Sequence, residues 1–255
     1  MAHSTFLYFN MKFAFLCIYL LFDFAGRAQT CIIIYVSDNG ITAGADRKYR
    51  QTLITTDAIT GKQKTNRSFY YGKKIFTDKS CCWALSGADF YDTIHNICKE
   101  VNIKSWSLHK IINRFTKRLQ GPGVKKAMHE LFLISNEEQK KRFSGNLTQV
   151  AFFKFDNNRY RSYRITLSMP GIFANNETIK FELDSIIATK KTFGIAVLGH
   201  YDAFSNNSKK ESWKDPVLTI RKLIRKQSVY TPGDVSPESD IIQITRSGFK
   251  WLKRN

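Results

Sequence analysis

Thr30 stands where an export-type leader runs directly into a β-branched segment, Cys31-Ile32-Ile33-Ile34-Tyr35-Val36. Because no linker separates the two, cleavage of the leader next to Thr30 would create a chain terminus inside the folded core. A threonine hydroxyl is a weak nucleophile until a base accepts its proton, and a free α-amine, with an ordinary pKa of about 8, can be that base. The junction therefore predicts an enzyme that uses its own N-terminal residue as the nucleophile.

The first 29 residues have the three parts of a secretory signal peptide. A short basic region, Met11-Lys12, precedes a run from Phe13 to Phe24 that is apolar except for Asp23, and small residues follow this run. The run is shorter than the roughly 20 apolar residues that span a bilayer; a membrane anchor or a buried first strand is the alternative. We predict that residues 1–29 are a signal peptide, with Met11 as an alternative start. The mature chain is expected to be exported to the periplasm or the extracellular space.

The position of the cleavage decides which residue becomes the terminus. The segment Gly26-Arg27-Ala28 is the better small-x-small site, and cleavage after it would leave Gln29 at the terminus. Cleavage one residue later would expose Thr30 but would place Gln29 in the cleaved position, which suits signal peptidases poorly. Cleavage after Thr30 would instead leave the Cys31 thiol as the terminal nucleophile.

The remaining segment, residues 30–255, is long enough for one large domain with a buried core. Hydrophobic residues make up 43% of the chain, which contains 20 Phe and 11 Tyr, so it belongs with globular rather than disordered chains. No repeat, linker or shift in composition divides the segment. We therefore predict a single domain.

The chain has a formal net charge of +19. This balance predicts either an anionic partner, such as a membrane surface or an envelope polymer, or simply a soluble basic protein. Since no signature of a nucleic-acid-binding fold accompanies the charge, no nucleic-acid partner is expected.

The cysteines give no sign of a metal site. The chain contains neither a CxxC pair nor a histidine cluster with zinc spacing, so no metal and no cofactor are predicted. Cys81, Cys82 and Cys98 are interpreted as small buried hydrophobic residues. Cys81 and Cys82 point to opposite faces of a predicted strand, so a bond between them is not expected.

Strand and helix signals alternate along the chain. Strands are predicted at 31–36, 41–45, 74–76, 81–85, 149–155, 159–167, 179–187, 192–198, 240–245 and 249–252. Helices are predicted at 90–101, 108–119, 124–133 and 216–226. Asn39-Gly40 predicts a hairpin turn, 179–187 is expected to pair with 192–198, and the polar segment 52–67 is expected to be a loop or a flexible hairpin. The order predicts an α+β fold, a four-layer αββα sandwich of two antiparallel sheets flanked by helices.

Three short segments, in this order, resemble those of proteasome-type β subunits and their bacterial relatives, which are N-terminal-nucleophile hydrolases. The first begins at Thr30 and reaches Asp46, sixteen residues further along the chain. The second is Gly72-Lys73-Lys74-Ile75-Phe76 with the later Ser86-Gly87. The third is Pro232-Gly233-Asp234-Val235-Ser236. The resemblance spans nearly the whole segment after the leader and implies the same sandwich fold.

The resemblance also implies a role for each matching residue. Thr30 would be the nucleophile. Lys74, held charged by Asp46, would lower the proton affinity of the α-amine and stabilise developing negative charge. Lys74 is chosen over Lys73 because Ile75-Phe76 follows it.

Three further residues complete the implied catalytic set. The backbone N–H of Gly87 would bind the oxyanion, and Asp234 and Ser236 would orient the amine and shuttle protons. His200 occupies the place of a serine expected in the family and is interpreted as a structural turn residue rather than as a proton shuttle.

Two functions compete at this point. The first is an exported threonine hydrolase that cleaves peptide or other amide bonds. The second is a catalytically inactive proteasome-like scaffold that binds an anionic partner through its basic surface. A homo-oligomer is compatible with either function, and no residue pattern determines the oligomeric state.

Overall fold

A computed structural model of the chain describes residues 22–24, 30–56, 63–78, 81–87, 93–103, 105–135, 137–174, 178–190, 192–199, 202–207 and 212–252. The predicted signal peptide, residues 1–29, lies outside this part of the chain except for residues 22–24. His200 also lies outside it.

Strands and helices follow each other in the predicted order. The strands are β1 (Phe22–Phe24), β2 (Cys31–Ser37), β3 (Gly40–Asp46), β4 (Lys48–Thr56), β5 (Gln63–Tyr71), β6 (Ile75–Asp78), β7 (Cys81–Gly87), β8 (Thr148–Asp156), β9 (Arg159–Ser168), β10 (Lys180–Ile187), β11 (Gly194–Gly199), β12 (Ser239–Thr245) and β13 (Gly248–Leu252). The helices are α1 (Thr93–Val101), α2 (Leu108–Leu119), α3 (Pro122–Ile134), α4 (Glu137–Lys140), α5 (Asp202–Asn207) and α6 (Pro216–Tyr230). Short 3-10 turns cover Lys141–Ser144 and Ile172–Ala174.

The strands form three antiparallel sheets. One five-stranded sheet, here called sheet I, has the order β11-β2-β3-β12-β13, and the other, sheet II, has the order β10-β9-β8-β7-β6. A smaller sheet of three strands has the order β1-β4-β5. The molecule is therefore a mixed α/β protein built on antiparallel sheets.

The central strands of sheet I are apolar on both faces because both faces are covered. Along β2, Ile32 and Ile34 belong to a buried cluster that also contains Ala84 and Phe153 of sheet II. The alternate residues Cys31 and Ile33 of β2 face the other way. They are buried in a second cluster with three apolar residues of α6: Ile220, Leu223 and Ile224.

Sheet II is also buried on two faces. Its residues Trp83 and Phe152 belong to a third cluster, which contains the apolar residues of α1, α2 and α3. Phe115 of α2 meets Phe152 edge to face, with ring centroids 5.0 Å apart. Buried apolar surface between the sheets and between each sheet and its helices thus holds the elements together.

The four predicted helices correspond to α1, α2, α3 and α6. Residues 90–92 of the first prediction lie outside the described part of the chain. Ser107 caps α2 by accepting a hydrogen bond from the Lys110 N–H, as expected for a serine ahead of an apolar stripe. The sequence gives no strong signal for α5, which covers the six residues Asp202–Asn207. α5 is held to α6 by Gln227, whose side chain accepts from the Ala203 N–H at 2.8 Å.

One predicted strand pairing differs from the structure. The segments predicted at 179–187 and 192–198 do form strands, but they do not pair with each other: β10 pairs with β9 in sheet II and β11 pairs with β2 in sheet I. The connection between them is therefore a crossing from one sheet to the other. Of the segment 52–67, which was expected to be a loop or a flexible hairpin, residues 52–56 belong to β4 and residues 63–67 to β5, and these two strands pair antiparallel in the small sheet.

Two findings concern cysteines and membrane spans. All four cysteines of the described residues are buried, and none of them forms a disulfide. This confirms the interpretation of Cys81, Cys82 and Cys98 as small buried residues. No helix within the described ranges is long and apolar enough to cross a membrane.

Candidate active site

A buried ion pair joins Asp46 at the end of β3 to Lys74, which stands immediately before β6. The Lys74 Nζ lies 2.9 Å from each carboxylate oxygen of Asp46. Both side chains are fully buried, with 0% of their surface exposed. Because a buried charge is tolerated only when it is paired and hydrogen-bonded, each residue requires the other.

Backbone N–H groups from three separate segments also donate to the Asp46 carboxylate. The Cys31 N–H donates to Oδ1 at 2.8 Å, and the Lys48 N–H donates to Oδ2 at 3.0 Å. The Ser236 N–H approaches Oδ2 at 3.4 Å. The carboxylate thus ties the start of β2, the start of β4 and the segment before β12 to one point.

Burial changes the acidity of both charged groups. Removal from water raises the pKa of Asp46 and lowers the pKa of Lys74, because both ionised forms lose hydration. The attraction between the two charges and the hydrogen bonds to the carboxylate oppose these shifts. The Asp46 carboxylate is therefore what favours the charged form of the buried Lys74 ammonium.

The backbone of Cys31 places Thr30 next to the Asp46–Lys74 pair. It is 4% exposed and directly precedes β2, whose first N–H, that of Cys31, is bound to Asp46. The backbone of Gly199 on β11 packs against it so closely that a Cβ added at Gly199 would lie 1.9 Å from the Thr30 carbonyl oxygen. The start of β2 is therefore fixed from both sides.

Cys31 is poorly suited to be the alternative nucleophile. Its side chain is packed in the cluster between sheet I and α6, together with Ile33 and Leu223. Burial, followed by the nearby charge of Asp46, raises the pKa of the thiol far above its ordinary value. Since the thiolate is the reactive form, this environment disfavours catalysis by Cys31.

The structure also adds a polar group that the sequence did not single out. Gln149 on β8 accepts a hydrogen bond from the Gly199 N–H at 2.9 Å, and Gln149 lies opposite Ser86 in the β7–β8 ladder. Ser86 is 4% exposed, and its Oγ would lie 2.9 Å from a Cβ added at Gly199. Sheet II thus reaches sheet I beside Thr30 through Ser86 and Gln149. From the sequence, only Ser86-Gly87 and the position of His200, which follows Gly199 in the chain, pointed to this region.

The remaining predicted site residues lie around the same strands. Gly87 ends β7 next to Ser86 with a φ of +108°, a conformation that favours glycine, and it is paired with Thr148. Ser236 is buried and joins Asp46 through its backbone N–H, while its Oγ accepts from the Glu238 N–H at 3.0 Å. Asp234 is half-buried, and its N–H donates to the Thr231 carbonyl at 3.0 Å. The roles assigned to these three residues stay predictions.

The choice between the two adjacent lysines is decided by burial. Lys74 is 1% exposed, whereas Lys73 is exposed to solvent with its Nζ over the Trp251 ring at 5.7 Å. Only Lys74 contacts Asp46 in this pair. Within the described ranges, no group of three or more His, Cys, Asp or Glu side chains could hold a metal ion.

Comparison with solved structures shows a distant likeness in fold. No family model matches the chain, and no curated protein matches it. Among solved structures, the chain is similar to the Gly-1 mutant of Anbu from Hyphomicrobium sp. strain MC1. The two share 12% identity over 89% of this chain and 87% of that chain, with a TM-score of 0.46. The similarity is a distant one to a proteasome-like fold and concerns the fold alone.

Proposed function

We propose that the chain is an exported N-terminal-nucleophile hydrolase in which Thr30 attacks peptide or other amide bonds. The observation that carries the proposal is the buried Asp46–Lys74 pair, bound to the Cys31 N–H directly beside Thr30. A surface function does not need a fully buried lysine, whereas an activated threonine needs a positive charge close to its own backbone.

The proposed reaction begins with a free α-amine at Thr30. That amine accepts the hydroxyl proton, and the Oγ attacks the carbonyl carbon of the substrate. The proton then passes to the leaving amine, an acyl ester remains on Thr30, and water hydrolyses it. Lys74 keeps the amine in its basic form, and the Gly87 N–H stabilises the negative oxygen of the tetrahedral intermediate.

The proposal includes the finer architecture and the location of the protein. We infer that sheets I and II are the two central layers of an αββα sandwich, with α1, α2 and α3 outside one and α6 outside the other. The shared buried clusters support this arrangement. We also infer that residues 1–29 are removed on export and that this cleavage exposes Thr30.

The first test is the N-terminal sequence and intact mass of the protein recovered after export. A terminus at Thr30 is the expected result, because only a free amine on that residue completes the proposed site. A stable terminus at Gln29 or earlier would leave the amine in a peptide bond and would favour an inactive scaffold.

The second test is the activity of Thr30 variants on short fluorogenic peptide amides. Thr30→Ala should reduce turnover by about a thousandfold or more, because no hydroxyl remains to attack. Thr30→Ser should retain a measurable fraction, since it keeps the hydroxyl. Thr42→Ala is the matched control, a buried threonine of the same sheet, and should remain active. Equal activity of Thr30→Ala and Thr42→Ala would contradict the proposal.

A further inference from the structure

A cavity of about 500 Å³ lies between α6 and the segment that leads into β12. Four basic side chains line it: Arg47, Arg221, Lys222 and Arg225. The one acidic residue in the lining is Glu238, whose side chain is 65% exposed and lies 3.4 Å from the Arg47 guanidinium. The volume falls within the range of sites for small ligands.

The basic residues of α6 are arranged at a cost to the helix. Residues 221, 222 and 225 share one helix face with Leu218 at the lip of the cavity, because positions three and four apart lie side by side. Arg221 and Arg225 form a like-charge pair four residues apart, which destabilises a helix. The sequence of α6 itself contains no Asp or Glu.

Arg47 gives the cavity a fixed wall. Its side chain is only 18% exposed, and its guanidinium lies near Glu238 and near Asp240, which is itself 8% exposed. A guanidinium held in this way presents its remaining N–H groups with little loss of side-chain freedom. An anion in the cavity would therefore meet one oriented arginine and three basic side chains of the helix.

We propose that this cavity binds a small soluble anion of the phosphate class, with diphosphate as the simplest member. Arginine forks match the geometry of phosphate oxygens, and several positive charges around one cavity suit a multivalent anion. The exposed Glu238 carboxylate competes with the anion for Arg47 and so lowers the affinity of the cavity for the anion.

This binding site is distinct from the proposed hydrolase chemistry but adjoins it. Arg47 directly follows Asp46, and the Glu238 N–H donates to the Ser236 Oγ. Binding needs neither a free Thr30 amine nor a working nucleophile. A Thr30→Ala chain should therefore bind the anion as the native chain does, so failure of one proposal is distinguishable from failure of the other.

The test is calorimetric titration of the full chain with inorganic diphosphate, and with citrate as a carboxylate of similar charge. We expect saturable 1:1 binding of diphosphate that is several-fold tighter than binding of citrate. Lys222→Gln/Arg225→Gln should weaken diphosphate binding by about tenfold or more, since two charged donors are lost. Both positions are exposed, so the double variant should fold.

Two further variants make the test specific. Lys117→Gln/Arg114→Gln removes two exposed charges from α2, which packs on sheet II, and should bind as the native chain does. Glu238→Gln should bind several-fold more tightly, because the competing carboxylate is gone. Equal weakening in the α2 control, or equal affinity for citrate and diphosphate, would overturn the proposal.

Discussion

Asp46 and Arg47 are neighbours in the sequence but belong to two regions in which charge is arranged differently. Asp46 is buried, and its carboxylate is shared among one ammonium and several backbone N–H groups. Arg47 lines a cavity in which four basic side chains accompany a single, largely exposed carboxylate.

The difference shows that the surroundings of a charge determine how it affects the stability of the fold. Inside the protein, each charge needs a partner of opposite sign, so the buried pair is required by folding as well as by the proposed chemistry. At the surface, water and salt screen like charges, so four basic side chains can line one cavity. Removing a charge should therefore have opposite effects on stability in the two regions.

The largest expected effect follows from removing the buried lysine. Lys74→Met leaves the Asp46 carboxylate buried without its counter-ion and should lower the free energy of unfolding by about 3–5 kcal/mol. Lys73→Met is the matched control, because it removes an adjacent exposed lysine, and should cost less than about 1 kcal/mol. Chemical denaturation of both variants measures the difference.

The pH dependence of Lys74→Met identifies the uncompensated carboxylate as the cause. Without Lys74, burial keeps the pKa of Asp46 in the folded protein above its unfolded value. A raised carboxyl pKa favours the folded state below the unfolded pKa and loses this contribution as pH rises through the folded pKa. The stability gap between variant and native protein should thus narrow as the pH falls toward the unfolded pKa of an aspartate, about 4. A constant gap would mean that lost packing, not lost charge, destabilises the variant.

A smaller effect is expected where β11 approaches Thr30. Gly199→Ala would place a Cβ against the Thr30 carbonyl at a φ of +79° and should lower the free energy of unfolding by about 1–3 kcal/mol. Gly123→Ala is the control, since nothing lies within 4 Å of a Cβ added there. In α3 this change should be neutral or stabilising by up to about 1 kcal/mol. Thermal unfolding of both variants measures the contrast, and equal stabilities would refute the close approach.

The contacts around Asp46 were only partly predictable from the sequence. The spacing from Thr30 to Asp46 and the apolar residues after Lys74 pointed to two residues that the structure does bring together. The approach of the Ser236 N–H to Asp46 spans 190 residues, and only the resemblance to a known family indicated it. Gln149 was missed because its contact with Gly199 depends on how the two sheets stack, which no local pattern encodes.

The strand content of the chain was easier to predict than its pairing. The signals for β10 and β11 were correct, because β-branched and apolar residues favour strands locally. The predicted pairing of these two strands was wrong. Strands joined by a short connection are usually neighbours in one sheet, but here the connection crosses between sheets. By contrast, β2 was correctly predicted as a strand of the core from its unbroken apolar sequence.

The smallest expected effect has the opposite sign and lies in the basic cavity. Arg225→Gln removes the repulsion with Arg221 one helical turn away and should raise the free energy of unfolding by about 0.2–0.5 kcal/mol at low salt. The gain should disappear at about 1 M salt, where screening removes the repulsion. Arg114→Gln on α2 is the control, because Arg114 also has basic residues four positions away, Lys110 and Arg118. This variant tests whether any basic helix gains stability when one such charge is removed. Because Arg118 is paired with Glu100 at 2.8 Å, the gain there should be smaller. Destabilisation by Arg225→Gln at every salt concentration would show that Arg225 supports the fold, and the contrast between the two regions would then fail.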